Sequence, residues 1–297
     1  MESVSSEAPH CKAQNFAKVR QLINDSAKLS LENKESTAKE KVHRLIILPE
    51  MFATGYLPKN PQDFAEVFSN SVLILDEKQS SPRATLGETA VFSHELAVEH
   101  NAIVFGTGIT IGTKKIQDRC ETVLFNHSGI FLPPQISPQS KCSEEQGYNK
   151  IHPFFPELNR GFAAGDSVTL FKIDDWKIAT AICYDLRFPE LFRDAVKMGA
   201  NLIVVQAAWP KVRKAHWETL LKARAIENQV YIAAVNGVSP SENSDDKKLG
   251  GTSMIIDPKG NVIACGNDQD EEVVHGTVTL EPLREYRQSF PVLDGIV

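Results

Sequence analysis

The sequence predicts an α/β layered fold. Short apolar runs alternate with helix-period segments along the chain, most clearly as a β-α-β-α-β series from residue 176 to 235. The hydrophobic fraction is 42% against 24% charged, which allows a sizeable core and excludes global disorder. At 297 residues the chain is long enough for one large domain or two ordinary ones, and no internal repeat divides it.

The elements follow in order. Residues 1–14 read as a polar tail, in which Pro9 would interrupt a β-ladder. Phe16, Val19, Leu22 and Ile23 mark one face of a helix from Asn15 to Ala27. The polar stretch 28–41 is a helix end and an exposed loop, and Leu45 to Leu48 is a short strand of the buried type. Gly, Pro and Asn signals make the region from Glu50 to Pro82 a loop with short turns. A helix over 84–100 and a strand over 102–106 come next. Thr122–Phe125 and Ile130–Leu132 are expected as a hairpin about the turn Asn126-His-Ser-Gly129.

Residues 133–146, polar and proline-containing, form a surface insertion. Strands lie near 168–173 and 176–182, joined at Asp174-Asp175. A helix over 189–198 opens on Pro189 and is closed by Gly199. Strand 202–206, helix 215–228 and strand 231–235 follow. Residues 239–250 are a polar loop, and Asp257-Pro-Lys-Gly260 turns between two strands.

A net charge of −6 provides no electrostatic footprint for nucleic acid. No apolar run approaches the roughly 20 residues of a membrane span. The first 30 residues carry no apolar signal-peptide core, and Glu2 and Glu7 argue against a transit peptide. The five cysteines, Cys11, Cys120, Cys142, Cys183 and Cys265, are odd in number and neither close nor zinc-spaced. They predict a reducing cytoplasm, no disulfide framework and no metal.

Cys183 stands out, in the run Ala181-Ile-Cys-Tyr-Asp-Leu-Arg-Phe-Pro-Glu190. An apolar strand ends at the thiol and a helix begins at Pro189. A thiol at such a corner sees unpaired backbone N–H groups that can lower its pKa or hold an oxyanion. That is a nucleophile's position, although cysteine is also among the most buried residue types. Two further segments carry chemistry. Leu45-Ile-Ile-Leu-Pro-Glu50 is a strand ending in a carboxylate, which could equally be a surface group. Gly147-Tyr-Asn-Lys-Ile-His152 is a loop carrying a lysine, and most loop lysines are solvated.

Taken in order, these pieces resemble the nitrilase superfamily of carbon–nitrogen hydrolases. The matching segments are Leu48-Pro-Glu-Met-Phe-Ala-Thr-Gly-Tyr56, Asn149-Lys-Ile-His152, Ile182-Cys-Tyr-Asp-Leu-Arg-Phe-Pro-Glu190, His216-Trp217, Ala223-Arg-Ala-Ile-Glu-Asn-Gln229 and Gly251-Thr-Ser-Met-Ile-Ile-Asp-Pro-Lys-Gly260. The resemblance implies a four-layer αββα sandwich formed by a single domain over residues 15–290, with 291–297 a tail. It also implies a buried strand before the first helix. The polar opening is a poor strand or replaces one, as a shortened chain would. A missing strand would leave backbone groups of a buried sheet unpaired.

The resemblance implies a Glu50, Lys150, Cys183 triad with no cofactor. Cys183 would attack a small amide and form a thioester. Glu50 would take the thiol proton, deliver it to leaving ammonia and activate water, a role suited to a partly buried carboxylate. Protonated Lys150 and the backbone N–H of Tyr184 would hold the oxyanion. Glu157, the second glutamate of the family pattern, would orient the lysine; it could also be an exposed loop acid. Arg187 and Glu190 are expected to pair with groups beneath the Cys183 corner, and Arg224 with Glu227.

The segments after Glu50 and over 208–213 resemble the omega-amidase branch, which acts on monoamides of 2-oxo dicarboxylic acids. Arg213 would then anchor the substrate carboxylate, between walls formed by Tyr56 and Trp209. In its basic stretch Arg213 could equally be a plain surface residue. Other members of the superfamily cleave N-carbamoyl amines, nitriles or deaminated peptide amides, and an inactive chain that keeps the fold and binds a partner subunit is the alternative outside catalysis. A homo-oligomer is expected from the family.

Overall fold

Alternate residues of the central strands serve two different cores, and this places the layers. In the computed structural model, which describes residues 8–31 (side chains 12–26), 42–68, 86–116, 118–136, 147–239 and 248–295, the elements run as follows. They are α1 (Ala8–Leu31), β1 (Leu45–Ile47), α2 (Glu88–His100), β2 (Ile103–Ile116), β3 (Arg119–Phe131), β4 (Gly147–Asn149), α3 (Phe155–Leu158), β5 (Leu170–Ile173) and β6 (Trp176–Ile182). Then come α4 (Pro189–Lys197), β7 (Leu202–Ala207), α5 (Lys214–Asn228), β8 (Tyr231–Asn236), β9 (Met254–Ile256), β10 (Val262–Cys265) and α6 (Leu280–Ser289).

One sheet has the order β1-β2-β3-β4 and the other β10-β9-β8-β7-β6-β5. Strands β6, β7 and β8 are parallel, which requires the crossover helices α4 and α5. Ile178, Leu202, Val204 and Tyr231 point from the second sheet toward Ile103 and Phe105 of the first, making the core between the sheets. Their neighbours Ala179, Ile203, Val205 and Ile232 point the other way, onto α4 and α5. On the far side of the first sheet, Val104 and Phe131 pack with Phe92 and Leu96 of α2 and with Phe16, Val19 and Ile23 of α1. Phe16 stacks on Phe92 at 4.3 Å. The layers are therefore helix, sheet, sheet, helix: the expected αββα sandwich.

Local chemistry explains the helix ends. Trp217, Leu221, Ala225 and Asn228 recur on one turn-spaced face of α5 and are buried. α2 and α5 stop where Asn101 (φ 45°) and Gln229 (φ 44°) turn left-handed. α1 starts at Ala8, ahead of the expected Asn15, with Pro9 in its first turn, where a missing N–H costs nothing. Among the described residues no strand precedes β1 and none pairs with its outer edge. Residues 271–279 join no ladder, although Val278 and Leu280 still reach the core between the sheets.

Two expectations are corrected. Asn126-His-Ser-Gly129 is not a turn. It lies inside the continuous strand β3, paired on one side with residues 106–109 of β2, which itself runs on to Ile116. The glycine that looked like a turn signal serves close packing: a Cβ on Gly129 would stand 3.0 Å from the Phe131 ring. The Lys150 segment is not a loop at its start either, because β4 pairs with β3 from His127 to Gly129 and holds Lys150 at a strand end. The expected insertion over 133–146 lies largely outside the described residues, as does the stretch 69–85.

Candidate active site

Strand ends of both sheets converge on one buried cluster. Glu50 follows β1, Lys150 follows β4, Cys183 follows β6 and Ala208 follows β7. Placing groups at strand carboxyl ends is the usual way such sheets build a site.

Cys183 sits where the chain leaves β6 and enters a 3-10 turn, with φ +47°. A non-glycine residue in the left-handed region is strained by about 1–2 kcal/mol. The strain lifts the thiol off the sheet toward Glu50 and the N–H of Ala208, both of which act on it electrostatically. Burial, reinforced by Glu50, raises the thiol pKa well above its ordinary value; Lys150 opposes this. The resting thiol is therefore neutral.

Lys150 and Glu157 are wholly buried and Glu50 is nearly so. Lys150 Nζ donates to Glu50 Oε1 at 2.8 Å and to Glu157 Oε2 at 2.9 Å. Burial acts to lower the lysine pKa, but the two carboxylates outweigh it and hold the pKa well above its ordinary value. Lys150 is a fixed ammonium and cannot serve as a base. Glu157 also accepts the Phe154 N–H at the start of the short helix α3. Burial raises the Glu157 pKa, and Lys150 opposes the rise.

Asn126, which sequence reasoning assigned to a turn, is central. Its Nδ2 donates to Glu50 Oε1 at 2.7 Å and to Glu157 Oε1 at 2.7 Å. Ala208 N donates to Glu50 Oε2 at 3.0 Å. No local signal marked Asn126, because its role depends on strands that meet only in the fold.

The remaining candidates spread around this cluster. Tyr56 is half-buried; burial and the Glu50 carboxylate push its pKa up, so its hydroxyl is neutral and faces the same charges. Tyr184 follows the thiol and packs its ring against Phe154 and Phe188. Trp209 is buried, and its backbone N–H donates to Asn236 Oδ1 at 2.7 Å. Arg213 exposes its side chain; its carbonyl accepts Trp209 Nε1 at 2.8 Å. Arg187 was expected beneath the nucleophile corner. Instead its guanidinium lies 4.6 Å over the Trp209 ring and 5.9 Å from the centre of the Tyr184 ring. The group beneath the corner is Arg224, which donates to Leu186 O at 2.9 Å and to Glu227 at 2.9 Å. Among the described residues no group of His, Cys, Asp and Glu is placed to hold a metal ion, and no helix is long and apolar enough to cross a membrane.

A model of the carbon-nitrogen hydrolase family matches residues 7–288. This chain belongs to the carbon-nitrogen hydrolase family. Within that family it is similar to a 2-oxoglutaramate amidase of Bacillus subtilis, 32% identical over 266 residues that cover 87% of each protein. It is 41% identical to a 2-oxoglutaramate amidase of Paenarthrobacter nicotinovorans over 157 residues, 50% of this chain and 51% of that one. XC1258 of Xanthomonas campestris, a superfamily protein solved with an arsenic adduct in its active site, aligns with TM-score 0.69 at 26% identity, covering 97% of this chain and 93% of that one. Saccharomyces cerevisiae Nit3, of branch 10 of the nitrilase superfamily, aligns with TM-score 0.72 at 23% identity over 95% of this chain and 89% of Nit3, a likeness of fold. The relatives support amidase chemistry for this carbon-nitrogen hydrolase.

Proposed function

We propose that this chain is an amidase of the omega-amidase type, releasing ammonia from monoamides of 2-oxo dicarboxylic acids through a Cys183 thioester. The observation that carries the reading is the pairing of a buried neutral thiol with a carboxylate, Glu50, that is itself held by a permanent ammonium. The amidase relatives support the same class of substrate.

The chemistry follows from the charge states. A thiol with a raised pKa is not a ready thiolate, so its proton must leave as it attacks. Glu50 accepts that proton while sulfur bonds to the amide carbon and the carbonyl electrons move to oxygen. Lys150 and the Tyr184 N–H stabilise that oxyanion, and donors so placed are worth about 3 kcal/mol each. The tetrahedral adduct collapses, the C–N bond breaks, and Glu50 returns the proton to the departing amine, which leaves as ammonia. Water then attacks the thioester, gives a proton to Glu50, and the acid leaves as the proton returns to sulfur. Glu157 holds Lys150 in position throughout.

The substrate carboxylate needs a cation other than Lys150. Arg213 was the candidate from sequence. Arg187 is half-buried beside the nucleophile turn and braced on the aromatic faces of Trp209 and Tyr184, and we favour it as the anchor.

The deciding experiment is ammonia release from 2-oxoglutaramate, an N-carbamoyl amine, a nitrile and a deaminated peptide amide, with Cys183→Ala as the blank. Preference for 2-oxoglutaramate, abolished in the variant, is expected. Preference for another compound would keep the thiol chemistry and overturn the substrate. Equal release by Cys183→Ala would overturn the mechanism.

A further inference from the structure

The geometry points to Asn126 as a positioning residue that decides which oxygen of Glu50 receives the Cys183 proton, an inference that rests on the thiol–carboxylate chemistry proposed above. Glu50 Oε1 accepts two hydrogen bonds, from Asn126 Nδ2 at 2.7 Å and Lys150 Nζ at 2.8 Å. A carboxylate oxygen has two in-plane lone pairs, so Oε1 has none left. Oε2 accepts the Ala208 N–H at 3.0 Å and keeps one lone pair. The thiol lies against this same carboxylate and the same Ala208 N–H. The proton that leaves sulfur therefore lands on Oε2, and the S–H bond breaks as the O–H bond forms there.

The orientation of Asn126 follows from its neighbours. Turned over, its Oδ1 would face two carboxylate oxygens, acceptor against acceptor. Held as it is, Nδ2 donates to both, and Oδ1 is left buried with no hydrogen-bond partner among the described residues. A buried orphan acceptor costs stability, and such exceptions call for a functional explanation. Here the explanation is charge. Glu50 and Glu157 bring two negative charges to one ammonium, and burial gives the excess charge no water. The groups facing the pair are Lys150 at the end of β4, Cys183 at the end of β6, the neutral Tyr56 hydroxyl from the loop after β1 and the Ala208 N–H after β7. Asn126 supplies the missing donors without adding a charge. Its Nδ2 occupies Oε1 of both carboxylates, so a proton at either Oε1 would have to displace that hydrogen bond.

The test reads the nucleophile itself. Intact protein is alkylated with iodoacetamide from about pH 5 to 9, a range that brackets neutral operating pH, and modification of Cys183 is followed by peptide mass spectrometry. Wild type is expected to show a rate that rises with pH along a limb lost in Glu50→Gln. Asn126→Leu removes both donors, and the isosteric Asn126→Asp replaces them with a third acid. Each is expected to move the limb up by about one pH unit, a tenfold slower reaction on its slope. Circular dichroism establishes which variants fold, and either folded variant decides the matter. A limb that stays in place in a folded Asn126 variant overturns the role of Asn126 while leaving Glu50 as base. A limb that survives Glu50→Gln overturns Glu50 as base, and this inference with it.

Discussion

The Tyr148 hydroxyl donates to Asp185 Oδ2 at 2.7 Å, and this bond joins the strand just before Lys150 to the turn that begins at Cys183. Asp185 also accepts the Ile182 N–H at 2.9 Å, and the N–H and Nδ1 of His152, each at 2.9 Å. The buried Asp185 carboxylate is thus wrapped by donors from both sheets' strand ends, and the Tyr148 oxygen in turn accepts the Ile151 N–H at 3.1 Å. Tyr148→Phe removes a donor from a buried anion and the acceptor of a backbone N–H. The expected loss is about 1–3 kcal/mol, read from urea unfolding. An unfolding midpoint equal to wild type would show that the bond carries no net stability.

The strain at Cys183 lies in its backbone, at φ +47°, and not in its sulfur. Cys183→Ala and Cys183→Gly both remove the nucleophile, and both are expected to lose ammonia release. Glycine accepts a positive φ without penalty, so Cys183→Gly should be more stable than Cys183→Ala by about 1 kcal/mol. The comparison cancels the loss of sulfur. Equal melting temperatures would mean that the turn relaxes in the alanine variant and stores no strain.

Lys150→Met tests the charge balance. The native lysine pKa is raised above 10.5, so its contribution is complete below that pH and is lost as pH rises through the higher folded value. Without it, two buried carboxylates face each other, and the variant is expected to lose about 3–5 kcal/mol near neutral pH. Burial already raises the Glu157 pKa above 4.5, and removing the ammonium raises it further. Between the unfolded and folded values the folded state binds the extra proton, so the variant should regain stability as pH falls. Denaturation curves at pH values on either side of neutrality measure this, and a deficit that does not shrink toward acid would contradict it.

Arg187→Ala and Arg213→Ala separate the two cationic candidates. With a braced guanidinium over Trp209, Arg187→Ala is expected to raise KM for 2-oxoglutaramate at least about tenfold, the effect of losing one charge-assisted pair of bonds. Arg213, exposed, should change KM little. The reverse ranking in steady-state assays would return the anchor to Arg213.

Much of the fold was readable because it is written in local patterns. The period-2 and period-3.6 placement of apolar residues from Trp176 to Asn236 marks strands and helices wherever they pack. Pro189 opens its helix as its fixed φ predicts. Cys183, Glu50 and Lys150 were legible as candidates because the first two close apolar runs and all three lie in ordered family motifs. Asn126 was not. Asn-His-Ser-Gly has the composition of a turn, and only pairing with β2 and β4 makes it strand.

By itself, then, the sequence determined the α/β class, the order of its central elements and the corner on which Cys183 stands, all properties set by neighbours in the chain. The tertiary structure decided the rest: that Asn126 reaches both Glu50 and Glu157, that Arg187 lies over Trp209, and that Lys150 is buried between two carboxylates. Each of these joins side chains from segments far apart in the chain, and burial and electrostatics act through distance in space, which no spacing along the chain encodes.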